Sequence, residues 1–119
     1  VLLNLLINAG HSVKEKIDKG LCSRGTICVR TRRIDQQVEI SIADTGMGIP
    51  EDIRQRIFER FFTTKRNTQS QGTGQGLAMA RSIVEERHHG RIWFETHVGE
   101  GTTFFLSIPI GSQRERTAP

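Results

Sequence analysis

Two asparagines one helical turn apart, an aspartate followed by spaced glycines, and a second glycine run are the residues of this 119-residue chain best suited to chemistry. Asn4 and Asn8 carry amide oxygens, and an amide oxygen can complete the shell of Mg²⁺, which favours oxygen ligands and keeps waters and phosphate oxygens as its other partners. Two solvated side chains on a helix surface are the plainer reading of the pair. Asp44-x-Gly46-x-Gly48 makes a narrower demand. Glycines permit approaches that a Cβ forbids, and an ionised aspartate only accepts hydrogen bonds, so it suits an exocyclic amine such as adenine's. A turn residue closing a strand is the plainer alternative for Asp44. Gly72-Thr73-Gly74-Gln75-Gly76-Leu77 stands where a helix begins, and such a start presents N–H groups and a positive dipole end to phosphate. A glycine run of that kind is a weak signal alone. Gly99-Glu100-Gly101-Thr102 in isolation reads only as a hairpin turn.

The elements that must position these residues follow from periodicity. Residues 1–19 predict a helix on which Leu2, Leu6, Ala9 and Val13 share one face while Asn4, Asn8 and His11 share the opposite one, away from the core. Thr26–Thr31 and Val38–Ala43 alternate as strands, with Arg33–Gln37 as their turn. Pro50 suits the first turn of a short helix running to Phe58. Residues 63–73 contain no apolar side chain and predict a mobile loop, since nothing there can anchor to a core. Gln75–Arg87 predicts a second helix through Leu77, Ala80, Ile83 and Val84, stopped at His88-His89-Gly90. Arg91–Thr96 and Thr102–Pro109 predict a second hairpin turning at residues 98–101. This order implies an α+β fold, a two-layer α/β sandwich whose mixed, mostly antiparallel sheet carries helices on one face. One domain over residues 1–110 and a polar tail over 111–119 are expected.

Composition narrows the classes further. With 35% hydrophobic, 25% charged and 6% aromatic residues, the chain falls outside disordered, collagenous and mucin-like types. No stretch nears the roughly 18 apolar residues of a membrane span, and no signal peptide is visible, so a soluble domain without direct membrane contact is expected. Cys22 and Cys28 lie in no metal-binding or redox spacing and read as free thiols of a reducing cytoplasm. The net charge of +4 equals the excess carried by Arg60, Lys65, Arg66 and Arg81 in an acid-free stretch from Arg60 to Val84. That stretch is rich in glycine, threonine and glutamine, which fits a bound polyphosphate better than a nucleic acid.

Taken together, NLLINA at 4–9, DTGMGIP at 44–50, IFERFFTTK at 57–65, GTGQGLAMA at 72–80 and GEGTTF at 99–104 fall in one family's order and spacing. The chain resembles the ATP-binding catalytic domain of sensor histidine kinases, within the superfamily of DNA gyrase, mismatch-repair and heat-shock chaperone ATPases and their Bergerat-type fold. The likeness spans nearly the whole chain, and FERFFTTK favours the kinases over the other branches. By that resemblance Asn8 binds Mg²⁺ and Asp44 accepts from the adenine amino group. Gly46, Gly48 and Ile49 line the base pocket, Thr102 stands near adenine, and Gly99 and Gly101 shape the same wall. Gly72, Gly74 and Gly76 close over the phosphates, with Thr73, Gln75 and Leu77 in the same segment. Phe58, Phe61 and Phe62 anchor an ATP lid over residues 63–73. His11 occupies the family's basic position one turn past Asn8, and Lys65 and Arg66 lie in the lid. Each of these three either meets a phosphate oxygen or is simply solvated. Asn4, Asn8 and His11 form the expected catalytic set, and His88, His89 and His97 read as structural or surface residues.

The resemblance implies ATP and Mg²⁺ as cofactors and transfer of the γ-phosphoryl group to a histidine on a separate dimerisation domain, in two-component signal transduction. Its implied partners are that domain and a response regulator receiver domain, with a homodimeric, cytoplasmic parent that is either free or anchored at the inner membrane. The fragment alone is expected to bind ATP with little kinase turnover. A catalytically silent nucleotide-binding module is the competing reading, and a basic nucleic-acid binder ranks behind both. Position 4 separates kinase from hydrolase. The superfamily's ATPases carry a glutamate there as general base, whereas the Asn4 amide cannot take up a proton. One departure is that family domains begin earlier, which implies a truncated first helix or missing domain edges.

Overall fold

The computed structural model describes residues 1–59 and 76–110. The predicted lid, with Phe61, Phe62, Lys65, Arg66 and the glycine run from Gly72 to Gln75, lies outside the described residues, as does the predicted tail.

The first helix, α1, runs Leu2–Asp18. Its end is closed by Gly20, whose φ of 76° lets the Gly20 and Leu21 N–H groups reach back to the Ile17 and Lys16 carbonyls. The stripe that meets the sheet differs from the predicted one. Leu5 and Ala9 are buried, whereas Leu2 and Leu6 are exposed. The sheet seats against the sector between the leucine flank and the asparagine flank, so Asn4 and Asn8 border the buried stripe rather than oppose it. Both are half-buried.

Strands β1 (Ile27–Ile34) and β2 (Gln37–Asp44) form a hairpin turning on only Asp35 and Gln36, tighter than predicted. Asp35 takes φ 55°, a conformation that aspartate tolerates better than most residues. After Pro50, Glu51–Arg56 forms a 3₁₀ helix in place of the expected short helix. The second helix, α2 (Gly76–Ser82), widens into a π turn over Ile83–Arg87. The left-handed residue that ends it is His89 at φ 57°, not Gly90. Gly90 is needed for space, because a Cβ there would lie 2.0 Å from the Ser107 carbonyl oxygen.

Strands β3 (Arg91–His97) and β4 (Gly101–Pro109) complete a four-stranded sheet ordered β1-β2-β4-β3. Every described pairing is antiparallel, so the parallel component allowed by a mixed sheet is absent among the described residues. Register brings Ile42, Phe104 and Phe94 into one row and Ile40, Leu106 and Ile92 into the next, on the face that meets the helices. With Leu5, Ala9, Ile57, Ala80 and Val84, members of these rows make the core. The other face carries Trp93 stacked on Phe105, at 5.3 Å between centroids, with Arg91 4.8 Å above the indole. α1 lies over β2 and β4. On edge strand β1, Val29 is exposed although it pairs with Ile42 of a core row, and Ile27, opposite Asp44, is exposed as well.

Candidate functional site

The β2–β4 pairing sets Asp44, the last residue of β2, directly opposite Thr102 near the start of β4. Both are buried. Asp44 Oδ1 accepts the Gly46 N–H at 2.8 Å and the Thr102 N–H at 3.3 Å, which fixes the carboxylate's orientation without using Oδ2. Burial pushes the Asp44 pKa above the usual carboxylate range, and the two backbone hydrogen bonds oppose that shift only in part. The Thr102 hydroxyl lies 2.9 Å from that of Thr96, its partner across β3–β4, and the Thr96 hydroxyl also accepts the Ile49 N–H at 2.9 Å.

Glycines make these contacts possible. At Gly101, φ 137°, a Cβ would lie 1.9 Å from the Asp44 carbonyl oxygen, and at Gly48, φ 78°, it would lie 2.5 Å from that of His97. Gly46 needs the same absence for a different neighbour, since its Cβ would sit 2.1 Å from Ser12 Oγ on α1. The loop after β2 is thereby pressed between α1 and the β3–β4 turn.

α1 grips that loop directly. Ser12 Oγ accepts the Met47 N–H at 2.9 Å, and Lys16 Nζ donates to the Gly99 carbonyl at 2.7 Å and to the Thr45 carbonyl at 3.4 Å. Asn8 stands one turn before Ser12 on the same stripe and Asn4 one turn before that, and both, like His11, are half-buried. Phe58 packs on the core with centroids 6.1 Å from Phe94 and 6.3 Å from Phe104, and the Arg81 guanidinium lies 5.5 Å from its ring centre. Ile49 and Leu77 also pack against the core.

Of the predicted site residues, Asp44, Gly46, Gly48, Ile49 and Thr102 are brought together, with α1 and its Asn8 alongside. Gly76 begins α2. Lys65, Arg66, Gly72, Thr73, Gly74 and Gln75 are outside the described residues. Ser12, Lys16 and Thr96 join the site without having been singled out. A signal existed for each: Ser12 and Lys16 follow Asn8 at four-residue steps, and Thr96 faces Thr102 once the second hairpin is in register. A buried carboxylate walled by glycine backbone can accept a hydrogen bond from a planar amine that slides in edge-on. Among the described residues no group of three or more His, Cys, Asp or Glu side chains could hold a metal ion. No helix among the described residues is long and apolar enough to cross a membrane.

Comparison with known proteins gives the same picture at the family level. Residues 1–112 match the family described as histidine kinase-, DNA gyrase B-, and HSP90-like ATPase. The chain is 39% identical over 111 residues to the adaptive-response sensory kinase SasA of Gloeothece citriformis, covering 92% of this chain and 26% of that protein. It is 40% identical over 118 residues to the signal transduction histidine-protein kinase AtoS of Escherichia coli, covering 98% of this chain and 17% of that one. The catalytic domain of histidine kinase ThkA superposes with a TM-score of 0.70 at 34% identity, over 91% of this chain and 62% of the solved one. ThkA has also been solved in complex with the response regulator protein TrrA, and there the TM-score is 0.68 at 30% identity, over 95% of this chain and 28% of that one. The chain thus spans about a quarter or less of the length of these curated relatives.

Proposed function

Because this chain belongs to the family of histidine kinase-, DNA gyrase B- and HSP90-like ATPases, we propose that it is the ATP-binding catalytic domain of a two-component sensor histidine kinase. The observation that carries this reading is Asp44: a buried carboxylate, oriented by two backbone N–H groups and ringed by three glycines that tolerate no Cβ. In this reading Asp44 accepts from the adenine amino group, Thr102 and Ile49 border the base, and Gly46, Gly48 and Gly101 let the surrounding backbone close up into the wall of its pocket. Asn8 would hold Mg²⁺ through its amide oxygen, and the ion would supply charge screening for the triphosphate. In the same reading the glycine-rich run leading into α2 supplies N–H groups to the phosphates, and Lys65, Arg66 and His11 supply positive charge or hydrogen bonds.

Phosphoryl transfer asks little covalent chemistry of the protein and much positioning. The bond from the γ-phosphorus to the β–γ bridging oxygen breaks, a bond to an imidazole nitrogen forms, and ADP leaves. The acceptor histidine belongs to a separate dimerisation domain, and a response regulator receiver domain takes the group onward, a partnership supported by the ThkA–TrrA complex. The parent protein acts as a homodimer with this domain in the cytoplasm. Asn4 favours this chemistry over hydrolysis, because an amide cannot activate water by removing its proton.

The test is to mix the fragment with its helical dimerisation domain and labelled Mg·ATP. Phosphohistidine should form on the added domain and not on the fragment alone. Mg·ATP binding with no transfer in the mixture would leave only a silent nucleotide-binding module.

A further inference from the structure

We propose that Lys16 is a positioning residue that locks the base end of the nucleotide cleft, an inference that rests on the nucleotide reading above. Two chain segments supply the base-end residues, the loop after β2 and the β3–β4 turn. They hold one another through the Gly99 N–H to the Met47 carbonyl at 2.8 Å and the Thr102 N–H to Asp44. Lys16 reaches both at once. Its ammonium has three donors, and two of them go to carbonyls on different segments, Gly99 at 2.7 Å and Thr45 at 3.4 Å. The shorter contact is a charge-assisted hydrogen bond of full strength in geometry.

The Gly99 carbonyl belongs to a glycine in the left-handed region, φ 84°, so the lysine fixes a turn whose backbone has wide freedom otherwise. The lysine's place on α1 gives the contact its consequence. Asn8 precedes Lys16 by eight residues, about 12 Å along the helix axis at 1.5 Å per residue. One rigid rod therefore carries the metal-end amide at one place and the clamp on the base end at another. Loosening the clamp should leave the phosphate end intact and blur only the base pocket. Lys14, two residues earlier, gives the contrast: it is exposed and paired within the helix to Asp18 at 2.8 Å.

The experiment is calorimetric titration of the fragment with three probes, Mg·ATP, adenosine and Mg·tripolyphosphate, for the wild type and for Lys16→Met, Lys16→Arg and Lys14→Met. Lys16→Met keeps the aliphatic stem and loses the donors. It should weaken adenosine and Mg·ATP by a common factor of about five to ten, the scale of one ordinary hydrogen bond lost. Tripolyphosphate binding should not move, Lys16→Arg should recover most of the loss, and Lys14→Met should match the wild type. Amide exchange in the nucleotide-free protein reads the clamp independently of binding: Lys16→Met should speed exchange at Gly99 and Met47 and leave Phe104 and Leu106 unchanged. An unaltered adenosine affinity in Lys16→Met overturns the proposal, as does an equal loss for tripolyphosphate or a uniform rise in exchange, either of which would make Lys16 a general stabiliser. A wild type that binds neither adenosine nor Mg·ATP overturns the nucleotide reading itself.

Discussion

Asp44 is a carboxylate that burial makes hard to charge and that two backbone N–H groups make hard to turn. Its raised pKa fixes the sign of two pH effects. Between the usual carboxylate pKa and the raised folded value, the folded state holds a proton that the unfolded chain has released, so stability falls as pH rises through that window. Asp44→Asn should therefore raise the thermal midpoint of the nucleotide-free protein at neutral pH and flatten its acid-side dependence, as a pH series of melting curves would record. Nucleotide binding should run the other way, weakening as pH falls through the raised pKa, because a protonated carboxyl gives up acceptor capacity. Asp44→Ala should weaken Mg·ATP by about ten- to hundredfold by calorimetry, the scale of a lost charged hydrogen bond. On α1, Asn8→Asp should impair Mg·ATP use by adding charge beside the triphosphate. Asn4→Glu would place a proton acceptor where an amide stands, and phosphate-release assays should then show increased futile hydrolysis.

At the scale of elements, the site depends on how closely α1, the loop after β2 and the β3–β4 turn approach one another. Gly101 is where that approach is tightest. Gly101→Ala would both force an L side chain to φ 137° and drive a Cβ into the Asp44 carbonyl. It should cost about 1–3 kcal/mol of stability in denaturant titration, and nucleotide affinity should fall with it, since the displaced strand carries Thr102. These elements were legible to different degrees. Helix α1 and both hairpins emerged from periodicity because their apolar spacing is regular, yet the buried sector of α1 did not. Leu2 and Leu6 look like a core stripe in one dimension, but the sheet meets Leu5 and Ala9. The 3₁₀ helix over Glu51–Arg56 and the π turn over Ile83–Arg87 were equally hidden, because local propensity does not say how many residues must fit between two packed ends.

At the scale of the whole molecule, the core of the described residues lies between the helices and one face of the sheet. Leu106 and Ile42 are almost fully buried there, with Leu5 and Val84 from the helical side. Leu106→Ala should cost about 2–5 kcal/mol, a large share of the roughly 5–15 kcal/mol that holds a domain folded, and lower the thermal midpoint by calorimetry. The same calorimetry with saturating Mg·ATP should recover part of the loss, because a ligand that binds only the folded state stabilises it by mass action.

The sequence by itself determined the family and the α+β order of elements, since motif spacing and apolar periodicity are constraints of residue type, and it named Asn8, Asp44 and the spaced glycines as candidates. The likeness to SasA and to AtoS matches that reading at the level of family. Tertiary structure alone decided which of those residues touch. Ser12 lies 35 residues from Met47 and Lys16 lies 83 from Gly99, and the four-residue steps from Asn8 that put both on one helix face do not say which backbone groups they meet. It also decided the direction in which the Asp44 pKa moves, because desolvation comes from the burial that the fold imposes and not from the residue itself.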